Sequence, residues 1–346
     1  ANSFSDQWQL VTEAEFIPLP ESFFDSMSEF EQKFNDSSSP QPGRGVVVSG
    51  LELWQWWQEA RQQAIAAHVP ISEVDWLLQE MTTLQPLDLR LETFKAQQQI
   101  TLKHSLDVLT DLWQQRLVRR VPVQYLAGST SWRNFSLKVS PAVLIPRPET
   151  ELLIDLAVAA VQNSKFKIQN SKFSTGDWAD LGTGSGAIAL GLATAFPEVT
   201  IHAVDCSAEA LAIARANAEA YGLGDRIHFY QGSWLEPLSH LKGQLSGLVA
   251  NPPYIPSAMV LELQPEVMQH EPHLALDGGA DGLNCIRHLI NSAPDYLQTN
   301  GIWLIEMMAG QAPTVVELLE QEGSYHSIEV HADLAGIERF VLAYRL

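Results

Sequence analysis

From Asp177 to the end of the chain, short apolar runs alternate with amphipathic stretches, and this alternation constrains the fold more than any other feature. The predicted strands lie near Trp178–Leu181, Thr200–Val204, Ile227–Tyr230, Leu248–Ala250 and Ile302–Ile305. The helices predicted between them cover Ala187–Ala195, Ala208–Tyr221, Asp281–Ser292 and Ala312–Glu320. Two last strands, near Ser327–Val330 and Phe340–Tyr344, are separated only by a loop and are expected to pair antiparallel. The pattern predicts an α/β fold with a doubly wound sheet and an antiparallel edge.

The chain before this alternation begins with two different segments. Residues 1–45 are acidic and lack sustained periodicity, which predicts a disordered tail. Residues 46–122 carry Trp and Leu side chains at helical spacing and predict a small helical bundle. One helix is predicted from Gly50, a second has Ser72 as its N-cap, and a third covers Leu102 to Arg120.

A change to β-type composition separates this bundle from the C-terminal domain. Residues 123–148 are predicted to form a β-hairpin linker, in which 131–139 alternates like a strand and three prolines follow. Residues 149–346 then form the C-terminal domain, whose first helix is expected from Glu149 to Val161. The five residues 162–166 recur at 169–173, which predicts a loop insertion over 162–176.

The charge balance limits the class of partner. The chain of 346 residues has 21 basic and 41 acidic side chains, a net charge of -20, and such a field repels phosphate backbones. No apolar stretch reaches about 18 residues, so no membrane span is predicted. We find no secretory signal at the N-terminus and expect a cytoplasmic protein. Cys206 and Cys285 are too few for a disulfide framework, and no Cys/His spacing suggests a metal site.

Positive charge is nevertheless concentrated between residues 90 and 147. This segment carries nine basic residues and three acidic ones. The basic residues are Arg90, Lys95, Lys103, Arg116, Arg119, Arg120, Arg133, Lys138 and Arg147. Two interpretations stay open, a solvated helix face and a docking surface for an acidic partner.

A glycine-rich loop follows the first strand of the predicted sheet, Asp180-Leu181-Gly182-Thr183-Gly184-Ser185-Gly186. Glycines let the backbone approach a ligand closely at the N-terminus of the next helix. Asp205 ends the second strand about 20 residues later, where it could accept hydrogen bonds from ribose hydroxyls. The loop alone fits a nicotinamide cofactor or S-adenosylmethionine. Trp234, after the third strand, could cover an adenine ring and favours S-adenosylmethionine.

Asn251-Pro252-Pro253-Tyr254 follows the fourth strand. Two prolines have no backbone N–H and can neither extend a strand nor open a helix interior, so the chain must leave the sheet in a rigid, extended shape. Ligands of open α/β sheets bind at this edge. The Asn251 side chain and a free carbonyl there could hold an NH2 group, although the same residues could form only a structural turn.

From about Val46 onward, the chain resembles the HemK/PrmC family, the methyltransferases that modify a glutamine of class-1 peptide chain release factors. The resemblance is carried by Pro122–Gly128, Val139–Glu151, Asp180–Leu190, Asn251–Tyr254, Glu271-Pro272, Leu276–Gly279 and Asp333–Gly336. The Ile-Pro-Arg-Pro-Glu-Thr-Glu segment at 145–151 is specific, because other enzymes with Asn-Pro-Pro-Tyr lack it. The chain departs from the family at Met308, where glycine is usual.

The resemblance implies a class I S-adenosylmethionine-dependent methyltransferase, with a Rossmann-like seven-stranded sheet, preceded by a helical domain that recognises the substrate. The implied cofactor residues are Gly182, Thr183, Gly184, Ser185 and Gly186 at the methionine end, Asp205 at the ribose, Trp234 at the adenine, and Asn251. Asn251 and Pro252 are the implied catalytic residues, and Asn251, Pro252, Pro253 and Tyr254 grip the glutamine of the Gly-Gly-Gln motif. A monomer that makes no direct contact with nucleic acid or membrane is expected.

Two other functions fit parts of the sequence. A DNA methyltransferase acting on the exocyclic amine of adenine or cytosine would use the same Asn-Pro-Pro-Tyr turn on a flipped base. It should carry a basic recognition module, which the net charge of -20 disfavours. A non-catalytic S-adenosylmethionine-binding module would not need an intact Asn-Pro-Pro-Tyr turn. The sequence therefore favours glutamine methylation.

Overall fold

The computed structural model describes residues 45–162 and 174–346. The predicted disordered tail over 1–45 lies outside these ranges apart from Gly45, and so does most of the predicted insertion over 162–176. Contacts group Val47–Leu346 into one unit, and the description below concerns that unit. Within the described ranges, the helices are all too short or too polar to cross a lipid bilayer.

Helices dominate the first part of this unit. Two short strands, β1 (Val46–Val48) and β2 (Ile100–Leu102), pair with each other. The helices are α1 (Gly50–Ala66), α2 (Ser72–Met81), α3 (Pro86–Arg90), a 3-10 turn at Thr93–Ala96, α4 (Leu106–Arg119) and α5 (Val123–Ala127). Their apolar faces meet around Trp57, Phe94 and Trp113, which are almost fully buried. The Trp and Leu stripes are therefore core, as the helical spacing predicts.

Two helix starts differ from the sequence prediction. Ser72 is the first residue of α2 rather than its N-cap, and Ile71 precedes the helix without a side-chain cap. The third predicted helix begins at Leu106 and not at Leu102, because Leu102 belongs to β2 and Ser105 caps α4. The Ser105 hydroxyl accepts a hydrogen bond from the Val108 amide, which satisfies one free donor of the first turn.

The predicted linker contains an antiparallel hairpin of β3 (Ser129–Trp132) and β4 (Phe135–Lys138). The segment 131–139, which alternates like a strand in the sequence, contains the turn of this hairpin. Arg133 takes a left-handed conformation with φ of 50°, so the chain reverses between the two strands. The alternation continues on both sides of this turn, which is why the pattern alone concealed it. A 3-10 turn at Glu149–Glu151 then leads into α6 (Leu152–Gln162).

The C-terminal domain is built on a seven-stranded sheet. Its strands are β5 (Asp177–Leu181), β6 (Thr200–Asp205), β7 (Ile227–Gln231), β8 (Leu245–Ala250), β9 (Leu297–Glu306), β10 (Tyr325–Ala332) and β11 (Glu338–Arg345). Their spatial order is β10-β11-β9-β8-β5-β6-β7. The predicted antiparallel pairing of the last two strands is confirmed, although the reversed strand is β11, inside the sheet, and β10 forms the edge.

Helices cover both faces of this sheet. They are α7 (Ala187–Ala195), α8 (Ala208–Ala220), α9 (Ser257–Val260), α10 (Pro265–His270), α11 (Asn284–Ser292) and α12 (Ala312–Glu322). Short 3-10 turns occupy Glu236–Leu241, His273–Ala275 and Ala293–Asp295. Two separate apolar clusters lie on opposite sides of the strands, one with Ile188 and Phe340 and the other with Leu289 and Val315. The predicted Rossmann-like α/β class is confirmed.

Parallel strands bring the predicted site residues to one edge of the sheet. Leu181 pairs with Ala250, and Ala250 pairs with Ile305 on the next strand, so their carboxyl ends lie side by side. The same holds for Asp205 and Gln231. The segments that leave these strand ends form the site.

An ion-pair cluster ties α4 to the rest of the unit and changes the interpretation of the basic segment. The Arg116 guanidinium is only 3% exposed and donates to Glu73 of α2 at 2.9 Å. It also pairs with Glu266 of α10 at 2.8 Å, and Arg120 meets the same carboxylate at 2.6 Å. These two arginines are therefore neither a solvated face nor a free docking surface for an acidic partner, since carboxylates of the same chain already neutralise them.

Candidate active site

The glycine-rich loop joins β5 to the N-terminus of α7. Gly182, Gly184 and Gly186 have φ values of 76°, 53° and 83°, which side chains other than glycine rarely adopt. The Gly184 amide donates to Asp205 Oδ2 at 2.9 Å, so the loop and the end of β6 are joined directly. The other Asp205 oxygen accepts from the Ser207 amide at 2.9 Å. Oδ1 also accepts a weak hydrogen bond from the Cys206 thiol at 3.8 Å, whereas Oδ2 keeps a lone pair for a further donor.

The buried side chain of Asp180 holds this loop through hydrogen bonds. The residue is fully buried, and its Oδ2 accepts from the Thr183 hydroxyl at 2.6 Å and from the Ala189 amide at 2.9 Å. Burial raises the pKa of Asp180 to about 7, although both hydrogen bonds oppose that rise. Ser185 is held as well, because its carbonyl accepts from the Asn217 side chain at 2.9 Å. Hydrogen bonds from both sides therefore hold the loop in this conformation.

Trp234 lies beside the glycine loop. A Cβ atom built on Gly182 would be 3.7 Å from the Trp234 indole. Trp234 has a φ of 49°, a left-handed conformation that turns the chain as it leaves β7. Among the described residues, no atom beyond the neighbouring residues lies within 4 Å of the corresponding point above Gly184, so they leave open space over the centre of the loop. A flat aromatic wall beside an open cradle of backbone, with a carboxylate at its rim, suits an adenosyl group.

Asn251–Tyr254 leaves β8 in an extended conformation. The Asn251 amide nitrogen Nδ2 donates to the Thr150 hydroxyl at 3.2 Å. The backbone of the segment is held by residues far along the chain, since the Gly278 amide donates to the Ile255 carbonyl at 2.8 Å and Gln311 Nε2 donates to the Tyr254 carbonyl at 3.0 Å. The side-chain oxygen Oδ1 of Asn251 therefore points away from Thr150. The segment presents one side-chain acceptor in a fixed position.

Tyr254 points its hydroxyl at a buried acid. The hydroxyl donates to Glu306 Oε1 at 3.2 Å, and burial raises the pKa of Tyr254 well above its usual value. Glu306 is 1% exposed and ends β9. Burial raises its pKa to about 7. The tyrosine is therefore a neutral donor, and the hydrogen bond fixes the plane of its ring.

The segment 145–151 packs against the same site. Arg147 pairs with Glu271 at 2.7 Å, and the Glu271 side chain is 2% exposed. The Arg147 carbonyl accepts from the Trp132 indole at 3.1 Å. These contacts hold Thr150 against Asn251, so two motifs separated by about one hundred residues in sequence meet in the fold.

The structure brings together the glycine loop, Asp205, Trp234 and Asn251–Tyr254, as the sequence predicts for strand ends at one edge. Sequence reasoning missed Thr150, Glu306 and Gln311 as partners of the Asn-Pro-Pro-Tyr segment. Of these, only Glu306 left a usable signal, because an acid at the carboxyl end of a buried strand lies at the ligand edge of such a sheet.

The departure at Met308 does not disturb this edge. Gly310, and not Met308, takes the left-handed conformation of the turn after β9, with φ of 89°. The Met308 amide donates to the Gln311 side chain at 3.0 Å, which closes the turn. Gln311 thereby holds both this turn and Tyr254.

Known proteins resemble this chain over most of its length. Residues 162–328 match the family model described as methyltransferase small domain. The release factor glutamine methyltransferase of Synechocystis sp. is 53% identical over 299 residues, which cover 86% of this chain and 98% of the relative. The protein of the same name from Thermosynechococcus vestitus is 47% identical over 298 residues, or 86% of this chain and 99% of the relative.

A solved structure of a release factor-specific protein-(glutamine-N5) methyltransferase from Alicyclobacillus acidocaldarius is 27% identical. It aligns with 60% of this chain and 99% of its own, with a TM-score of 0.36. The relatives from Synechocystis sp. and Thermosynechococcus vestitus match over nearly their whole length. The chain belongs to the release factor glutamine methyltransferase family.

Proposed function

We propose that this chain transfers the methyl group of S-adenosylmethionine to the side-chain amide nitrogen of the glutamine in the Gly-Gly-Gln motif of class-1 peptide chain release factors, and so modulates translation termination. The observation that carries the proposal is the fixed orientation of Asn251. Its Nδ2 is occupied by Thr150, which leaves Oδ1 as an acceptor beside the glycine loop. The relatives in the same family support the choice of substrate.

The glycine loop, Asp205 and Trp234 are the proposed cofactor residues. The backbone of Gly182–Gly186 would hold the methionine end, Asp205 would accept from the ribose hydroxyls, and the Trp234 indole would lie against the adenine. Asn251 would touch both the cofactor and the substrate. The cofactor, when bound, supplies a methyl group on a positively charged sulfur, which is a good leaving group.

Asn251 and Pro252 are the proposed catalytic residues, and they act by positioning. A carboxamide nitrogen is a poor nucleophile because its lone pair is delocalised into the C=O group. The Asn251 Oδ1 and the Pro252 carbonyl would each accept one N–H of the glutamine, which orients the nitrogen for attack. Pro253 keeps the segment extended, and the Tyr254 ring would pack over the amide. The new N–C bond would replace the bond between the methyl carbon and the sulfur, whose electron pair stays on the sulfur. The surplus proton on the nitrogen would pass to water after attack, so no strong base is required.

A methyl-transfer assay tests this proposal. Purified class-1 release factors, their Gln→Ala versions at the Gly-Gly-Gln motif, and duplex DNA would each be incubated with the chain and radiolabelled cofactor. We expect label on the release factors alone. Label on DNA would favour the DNA methyltransferase instead, and label that persists on the Gln→Ala protein would contradict the glutamine as the acceptor.

We further propose a cytoplasmic monomer that makes no direct contact with nucleic acid. The translation machinery supplies the substrate, and a net charge of -20 disfavours binding to phosphate backbones. Light scattering at micromolar concentration should give the mass of one chain, 38.4 kDa. A doubled mass would contradict the monomer.

A further inference from the structure

A buried acid lies behind the Asn-Pro-Pro-Tyr segment and has no role in the proposed chemistry. The Glu306 carboxylate accepts a hydrogen bond from the Tyr254 hydroxyl at 3.2 Å. The Thr150 hydroxyl also hydrogen-bonds to this carboxylate. Thr150 is 4% exposed and in turn accepts from Asn251 Nδ2 at 3.2 Å. The three contacts form one series of hydrogen bonds that runs from Tyr254 through Glu306 and Thr150 to the carboxamide of Asn251.

The ionised carboxylate of Glu306 determines the direction of each hydrogen bond in this series. An ionised carboxylate can only accept, so the Thr150 hydroxyl must donate its single proton to Glu306. The Thr150 oxygen is then left with lone pairs, and its partner on Asn251 must be the NH2 group. The Asn251 Oδ1 therefore faces away, where it can accept from a substrate N–H. A neutral or donating group at position 306 would remove this constraint, because the threonine proton could turn to Oδ1 and stabilise the flipped carboxamide.

We infer that Glu306 is a positioning residue that sets the orientation of the Asn251 carboxamide through Thr150 and thereby makes Asn251 Oδ1 available to the substrate amide. The inference rests on the proposed function for its substrate. Glu306 touches neither substrate nor cofactor in this account. It acts only by determining which group donates and which accepts in each hydrogen bond between Glu306 and Asn251.

The charges around Glu306 come from three elements. Arg339 of β11 favours the ionised carboxylate, and Arg339 itself donates to Asp333 at 2.7 Å. Glu149, from the 3-10 turn before α6, opposes ionisation. Tyr254 and Thr150 favour it through their hydrogen bonds, but burial is the largest influence and leaves the pKa at about 7. Glu306 therefore gains a proton as the pH falls through about 7, and the protonated carboxyl can donate to Thr150.

The kinetic test compares Glu306→Gln with the wild type. A glutamine has nearly the same shape but can donate to Thr150, so the kcat for a release factor should fall at least about tenfold, with a smaller change in KM and in cofactor Kd. The wild-type kcat should fall as the pH drops through about 7, and this dependence of kcat on pH should be absent in Glu306→Gln. Glu198→Gln removes the same charge at an exposed position at the opposite edge of the sheet and should match the wild type.

Two changes at Thr150 separate positioning from packing. Thr150→Ser keeps the hydroxyl and should keep kcat within about threefold, whereas Thr150→Val keeps the shape and should lose about as much as Glu306→Gln. Equal kcat values and equal pH profiles for wild type and Glu306→Gln would overturn the inference. So would a Thr150→Val variant as active as Thr150→Ser.

A measurement without substrate keeps the inference independent of the proposed function. The Asn251 side-chain NH2 signals, assigned by NMR through Asn251→Asp, should shift with pH around a midpoint near 7 in the wild type and stay constant in Glu306→Gln. If the wild type fails to methylate release factors but shows this titration, the proposed substrate is wrong and the positioning role stands. If methylation occurs and the signals ignore both pH and Glu306→Gln, the positioning role is wrong.

Discussion

Replacing Gly278 by alanine should slow methyl transfer far more than it weakens cofactor binding. An alanine Cβ at this position would lie 2.8 Å from the Pro253 carbonyl oxygen and 2.5 Å from the Gly282 carbonyl oxygen. Carbon and oxygen atoms of neighbouring groups rest well above 3 Å apart, so one of these backbones must move by about half an ångström to one ångström. Both obstacles are main-chain atoms, and neither can rotate away as a side chain could.

The expected loss of kcat follows from which part of the backbone the added Cβ displaces. Gly278 donates to the Ile255 carbonyl at 2.8 Å, so a shift at 278 is passed to the segment that carries Asn251 and Pro252. A displacement of about 1 Å at a positioning group can cost about 10²-fold in rate. We expect kcat to fall about 30-fold to 100-fold. The added strain should cost about 1–3 kcal/mol of stability and leave the variant folded.

Gly224→Ala is the matched control, because the nearest atom to its added Cβ is Glu219 Cγ at 3.9 Å, an ordinary contact. The assay measures kcat and KM with a release factor, cofactor Kd by calorimetry, and Tm for both variants. Cofactor Kd should change by less than about threefold in Gly278→Ala, since the glycine loop, Asp205 and Trp234, which make most of the proposed cofactor contacts, belong to or follow other strands. A kcat within about twofold of the control, or an equal loss of cofactor affinity, would refute the reasoning.

Three further outcomes are expected. Asn251→Ala should lose about 10²-fold in kcat and much less in cofactor affinity, because it removes an acceptor that orients the substrate amide but only one of several cofactor contacts; an equal loss of both in calorimetry and kinetics would contradict this role. Arg116→Ala should lower the free energy of unfolding in urea by about 3 kcal/mol, since it leaves Glu73 without its cation and Glu266 with Arg120 alone, while exposed Arg90→Ala should change it little. Asp180 has its pKa raised to about 7 by burial, so the folded state holds a proton that the unfolded state releases above about pH 4. Wild-type stability relative to Asp180→Asn should therefore decline as the pH rises from about 4 to about 7 in urea titrations, and a constant difference would show that Asp180 does not titrate.

The elements that the sequence predicted best are those whose first and last residues have clear start and stop signals next to them. Helix α7 was predicted at Ala187–Ala195 and found there, because Gly186 precedes it and Pro197 follows closely. The carboxyl ends of the parallel strands were likewise predictable, and they place the glycine loop, Asp205 and Asn251 at one edge. The roles of these residues stay predictions until cofactor and substrate binding are measured.

The features that the sequence could not predict depend on partners far along the chain. The segment 131–139 alternates through a turn at Arg133, so the period of two persists while the direction reverses. The charge count around Arg116 gives no sign of Glu266, which lies about 150 residues later. Glu306 is one acid after an apolar run, and only the packing of Thr150 and Tyr254 against it indicates its importance.

The most direct test of the central claim is a crystal structure of the chain with S-adenosylhomocysteine and a peptide that contains Gly-Gly-Gln. The account predicts the glutamine amide nitrogen at about 2.7–3.2 Å from both the Asn251 Oδ1 and the Pro252 carbonyl oxygen. The Asn251 Nδ2 should remain on Thr150. A glutamine bound with its carbonyl toward Asn251, or one held away from Asn251–Tyr254, would contradict the account.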